Sequence, residues 1–159
     1  MKITHLAYWW LFFWVQVIAL SIAGYFGVIE TTWYADPSKL SIATVIITAL
    51  ASIWIGFQHL KAGRKEKINL AAGWFLSELT MSIGMLGTVI GFIYMITAAM
   101  GSLPQGELTP QHLKTMINSL SLGIGTALWT TLWGLVGSIS LKIQMNNLEA
   151  AIESAKDQE

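Results

Sequence analysis

Four long apolar runs constrain this chain more than any other feature. They cover roughly Leu6–Ile29, Leu40–Leu60, Leu79–Met100 and Met116–Leu141, and nearly all charged residues fall between them. Each run is about 20 residues or longer, which at about 1.5 Å per residue crosses a hydrocarbon core of about 30 Å. Only 11% of the 159 residues are charged, against about 25% in an ordinary soluble domain. Mean hydropathy is +0.58. Too few charges remain to cover a water-facing surface, so the expected class is all-α: an integral membrane protein with four transmembrane helices, associating as a homo-oligomeric helical bundle.

Orientation follows from the basic residues, which stay on the cytoplasmic side of short loops. With four spans, one side carries Lys2, Lys61, Arg64, Lys65, Lys67, Lys142 and Lys156, and the other carries Lys39 and Lys114. Both termini are therefore expected in the cytoplasm. Lys61, Arg64, Lys65 and Lys67 read as topology determinants, with headgroup contact as a second role. The net charge of zero gives no reason to expect nucleic-acid binding. Cysteine is absent and the three histidines stand far apart, so no metal site or metal cofactor is expected.

The first run opens with Tyr8, Trp9, Trp10, Phe12, Phe13 and Trp14, an expected aromatic belt at the headgroup boundary. A signal peptide cleaved after Ser21-Ile22-Ala23 is the rival reading, but the apolar run continues past that point. Glu30 to Lys39 is expected to be a short connection, with Asp36 or Ser38 capping the second span. That span, with Ala43, Thr44, Thr48, Ala49, Ser52 and Gly56, reads as a packing helix. Thr109-Pro110 should start a short interfacial helix before the fourth span. Beyond Leu141, the spacing of Leu141, Met145, Leu148, Ile152 and Ala155 extends the last helix. That apolar seam either bundles with other copies or lies on a frayed tail.

The third and fourth runs carry the informative pattern. Gly84, Gly87 and Gly91 share one helical face with Thr80, and Thr88 sits at its edge. In the fourth, Ser119, Gly123, Thr126, Thr130, Gly134 and Gly137 share a face, which Ala127, Thr131 and Ser138 extend. Such small rows let backbones approach closely. Thr88 lies ten residues inside Glu78, and Thr131 eleven residues before Lys142, each about 15 Å along a helix. Glu78 reads as an interfacial carboxylate. In antiparallel spans the two threonines should then share one level, near the middle of the bilayer. They mark either a polar pathway or a packing seam. No Asp, Glu, Lys or Arg lies in the middle of a span, so a titrating group for ion movement must come from another chain.

At GMLGTVIGF in the third run and ALWTTLWGLVGS in the fourth, the sequence resembles the MotA/TolQ/ExbB family of ion-channel stator proteins. The resemblance covers roughly Met81 to Asn146. It implies a homopentamer in the bacterial inner membrane, closed around two copies of a single-span partner of the MotB/TolR/ExbD type. The partner's transmembrane aspartate carries H⁺ or Na⁺, and ion flow is coupled to rotation or mechanical work. The ion pathway implied is Thr88, Thr130, Thr131 and Thr126, with Gly84, Gly87, Gly91, Gly123, Gly134 and Gly137 packing the helices. Thr126 stands where TolQ and ExbB carry a glutamate, and Ser140 replaces a proline found in many relatives. The Thr130-Thr131 pair leans towards sodium. The short loop Lys61 to about Ser77 offers a flagellar rotor little to grip. The implied organisation is a peripheral hairpin with its basic loop over 1–67, a pore-lining helix pair over 68–145, and a cytoplasmic tail over 146–159. The rival is a structural or holin-like oligomer held by its glycine faces. A four-span drug carrier lacks the acidic residue it needs, and no catalytic constellation suggests an enzyme.

Overall fold

Backbone chemistry sets the breaks between helices. The computed structural model describes residues 3–63, 68–101 and 109–156. Among them, five α-helices follow one another: α1 (Ile3–Tyr25), α2 (Val28–Ala35), α3 (Leu40–Gly63), α4 (Leu70–Gly101) and α5 (Pro110–Lys156). No strand occurs among the described residues. All but α2 are long and apolar enough to cross a membrane. Gly27 ends α1 with φ 70, a left-handed conformation that costs other residues about 1–2 kcal/mol. The chain then makes a short helix, α2, where a plain connection is expected.

Asp36 organises the turn into α3. Its Oδ1 accepts from Ser38 N at 3.0 Å and Ser38 Oγ at 2.5 Å, and its Oδ2 accepts from Ser41 N at 2.8 Å. This carboxylate is almost fully buried. It satisfies N–H groups at the helix start that have no partner within the helix. Lys39, at φ 57, brings its ammonium over the Trp33 ring, 4.0 Å from the centroid.

α4 and α5 form an antiparallel hairpin packed along glycine. A Cβ on Gly84 would lie 2.9 Å from Gly134 Cα, and one on Gly91 would lie 2.7 Å from Ala127 N. Gly87 lies directly against Thr130, and Gly123 against Met95. Gly137 receives Thr48 of α3 and Thr80 of α4, so three helices meet there. The α5 helix runs unbroken for 47 residues, about 70 Å. The separate interfacial helix expected before the fourth span is simply its first turns. Thr109 caps them, accepting from His112 N at 3.4 Å, and Pro110 supplies the first helical position.

Two further readings are corrected. Trp9 is not part of an exposed belt: its indole lies on Gly56, stacks with Phe13 and is 8% exposed. Glycine at 56 lets the ring reach the α3 backbone. Tyr8, Trp10 and Trp14 remain exposed. The α5 seam neither frays nor waits for another copy. Leu141, Met145 and Leu148 are fully buried within the chain, where Met145 packs on Gly73 of α4 and Trp74 Nε1 donates to Glu149 at 2.7 Å. α5's first stretch and α4's last are left bare, with no buried residue in 110–122 or 92–101, and α1 has none from Trp10 to Tyr25.

Side-chain contacts fix how α3 lies along α5. Thr48 of α3 stands beside Gly137, Ser52 beside Gln144 and His59 beside Asn147. Thr126 of α5 bonds Ala35, and Trp133 bonds Thr32. The α2–α3 connection thus lies against the middle of α5, not its start. The apolar seam below Leu141 explains this, because α3 covers it with Ala51 and Ile55.

Candidate functional site

The chemistry concentrates where α4 and α5 bring two hydroxyls together. Thr88 Oγ1 and Thr131 Oγ1 are in hydrogen-bond contact. Both side chains are half-buried. Thr131 Oγ1 also lies 2.9 Å from Ala127 O and Thr88 Oγ1 3.3 Å from Gly84 O, so one hydroxyl donates to the other and the second donates to a helix carbonyl. Each hydroxyl carries one proton and two lone pairs. Both protons are then used inside the pair and its helix, and only oxygen lone pairs remain open. A group of this kind accepts: it suits a cation or the O–H of a protonated carboxyl.

The close approach follows from the neighbours. Gly84 and Gly87 keep side chains out of the seam, so the backbones lie near enough for short threonine side chains to touch. Gly84 O is the carbonyl a helical threonine at 88 would ordinarily back-bond, and the Thr131 hydroxyl competes with it for the Thr88 side chain.

Thr130 and Thr126 stand apart from that pair. Thr130 is fully buried against Gly87, and its hydroxyl donates to Thr126 O at 2.9 Å or Ala127 O at 3.2 Å. Thr126 is 2% exposed and reaches Ala35 O at 2.9 Å and Leu122 O at 3.0 Å. The Thr126 hydroxyl ties α5 to the end of α2, whereas the Thr130 hydroxyl bonds within α5 while its side chain packs on α4. Gly84, Gly87, Gly91, Gly123, Gly134 and Gly137 are all buried in the same intrachain seam. Lys61 is exposed near the end of α3, whereas Arg64, Lys65 and Lys67 lie outside the described residues. Glu78 is exposed on α4. No group of three metal-binding side chains occurs among the described residues.

Sequence reasoning missed a second polar cluster, where α1, α3 and α5 meet. Ser52 Oγ lies 2.9 Å from Gln144 Oε1 and 3.3 Å from Gln16 Oε1. One turn or two further along, His59 Nδ1 donates to Ile55 O at 3.1 Å, and Asn147 Nδ2 donates to His59 Nε2 at 3.2 Å. Ser52 and His59 are seven residues apart on α3, and Gln144 and Asn147 interrupt the apolar seam of α5. That interruption was the available signal.

Residues 60–158 match the model of the MotA/TolQ/ExbB proton channel family, well over half of the chain. The chain belongs to this family. The matched stretch takes in all of α4 and α5 and therefore the Thr88–Thr131 pair, while α1 and α2 lie outside it. No curated protein and no solved structure shows a significant match. MotA/TolQ/ExbB membership and four helices able to span a bilayer make this a multi-pass membrane protein of proton-channel type, a class distinct from the enzymes.

Proposed function

We propose that this protein is the pentameric subunit of an ion-driven stator in the bacterial inner membrane. It surrounds two copies of a single-span partner and couples the flow of H⁺ or Na⁺ to rotation or other mechanical work. The observation that carries this reading is the Thr88–Thr131 hydroxyl pair in the α4–α5 hairpin of a family member. The pair presents acceptor oxygens, so its counterpart must bring a proton or a cation. The chain's spans hold no carboxylate at that level. A transmembrane aspartate on the partner supplies one, loading H⁺ or Na⁺ as it passes the threonines. Thr126 and Thr130 are given a supporting role, holding α5 in the orientation that presents Thr131.

The glycine seam bears on the holin-like rival. That reading needs the glycine faces to join copies of the chain, yet they are occupied by α4–α5 packing within one chain.

Threonine to valine keeps the shape and removes the hydroxyl. Thr88→Val and Thr131→Val, co-expressed with the partner, should each lower ion flux into proteoliposomes by at least tenfold while the oligomer's mass is unchanged. Thr126→Val should have a smaller effect on flux than either. Full flux in both Thr88→Val and Thr131→Val defeats the pathway.

A further inference from the structure

Two cavities flank the missed polar cluster, and together they have the chemistry of an amphiphile site. The larger, about 420 Å³, lies between α1, α3 and α5. Its wall is hydrocarbon, including Phe13, Leu20, Val45, Ala49 and Val136, with Gln16 and Ser140 among the few polar groups. An apolar cavity of about 150 Å³ takes up benzene, so this one has room for a stretch of hydrocarbon chain. The smaller, about 360 Å³, is bordered by Trp9, Gln144, Asn146 and Asn147. Phe12 borders both.

Along the walls of both cavities, hydrogen-bonding groups are left over. Trp9 Nε1, Gln16 Nε2 and Gln144 Nε2 are buried without a partner. Gln144 is 1% exposed and Trp9 8%, so bulk water does not serve them. Ser52 has one proton for two amide oxygens, so one of the two amides gains by turning over to donate to it; the Trp9 N–H stays a donor without an acceptor in every arrangement. A buried polar group without a partner costs about 1–3 kcal/mol. With Gln16 on the wall of the larger cavity and Trp9 and Gln144 on that of the smaller, the spare N–H groups ask for an acceptor that runs along both.

We propose that a membrane phospholipid binds here as a structural ligand. One acyl chain fills the 420 Å³ groove between α1, α3 and α5. The ester and phosphate oxygens lie at the polar end and accept from Trp9, Gln16 and Gln144. A phospholipid is a better occupant than a helix from a second copy, because acceptor oxygens and hydrocarbon belong to one molecule in the required order. The outer face of α1 also has Trp10, Leu11, Trp14 and Ile18 exposed, so the groove opens among residues suited to lipid. The lipid then joins α1, which makes few other contacts, to the α3–α5 core. The ion pathway is not part of this inference.

The test is native mass measurement of the oligomer extracted in mild detergent and washed to remove loose lipid. The wild type should retain about one phospholipid per chain. Ala49→Phe or Ala19→Phe places a ring in the groove, and either should abolish retention with the oligomer mass unchanged. Gln16→Leu should lower it several-fold. A wild type free of phospholipid overturns the proposal, as does full retention in both ring variants. Ala19→Cys is the milder probe, since the chain has no other cysteine. Its maleimide labelling should speed up several-fold after exhaustive delipidation. An unchanged rate, or a disulfide between copies at that position, assigns the groove to something other than lipid.

Discussion

At the scale of single residues, one amino-acid type serves two different ends. Thr126, Thr130 and Thr131 lie within six positions of each other on α5. Thr126 and Thr130 face α2, α3 or α4 and spend their hydroxyls on carbonyls, whereas Thr131 faces Thr88 and keeps lone pairs open. Helical spacing of about 100° per residue separates these outcomes. The glycines differ from each other in the same way. Gly84→Ala sets a methyl 2.9 Å from Gly134 Cα and Thr130 O, which are backbone atoms that cannot swing aside. It should cost about 1–3 kcal/mol through overpacking. Gly27 has open space around it, so Gly27→Ala carries only the left-handed backbone cost of about 1–2 kcal/mol. Thermal unfolding in detergent checks both: each should lower the midpoint, and only Gly84→Ala should also separate α4 from α5 in a cross-linking assay.

At the scale of elements, α5 does more than span. Its buried positions run from Gly123 to Ala151, and beyond Leu141 they form a seam with Met145 and Leu148 at the centre. Leu148→Ala should cost about 2–5 kcal/mol by leaving a cavity, read as a lowered denaturation midpoint. A frayed tail would show no change. The existence of all four apolar helices, the cap at Thr109-Pro110 and the extension of α5 were legible because each has a local cause: hydrophobic length, a hydroxyl before proline, and four-three spacing. The partner of the α5 seam was not legible. Periodicity states that a face is apolar but says nothing of what covers it. The same gap hid Trp9, whose burial depends on Gly56, far away in the chain.

At the scale of the whole molecule, the α4–α5 hairpin projects past its companions. Residues 110–122 and 92–101 contain no buried position, and many are large and apolar, among them Phe92, Ile93, Ile96, Leu113 and Ile117. An exposed apolar surface of this kind belongs against lipid or other subunits. Under the proposed stator, native mass measurement of the co-expressed complex should give five copies of this chain with two of the partner. Replacing sodium with potassium at constant pH should abolish flux if the Thr130-Thr131 signature reports sodium, and leave it intact if protons carry the current. A homo-oligomer that forms fully without any partner and conducts nothing would favour the structural rival.

The sequence by itself determined what depends on local chemistry: four apolar helices, where they start, which faces are small, and that Thr88 and Thr131 share a level. Hydrophobic length, proline and glycine act within a turn or two, so they can be read in order along the chain. Only the tertiary structure decided which small faces meet, that α3 packs low along α5, and that Gln16, Ser52 and Gln144 converge with amide groups left over. Those facts come from contacts between residues up to about a hundred positions apart. Their cause is the need to cover one particular buried surface, and no stretch of sequence carries that need alone.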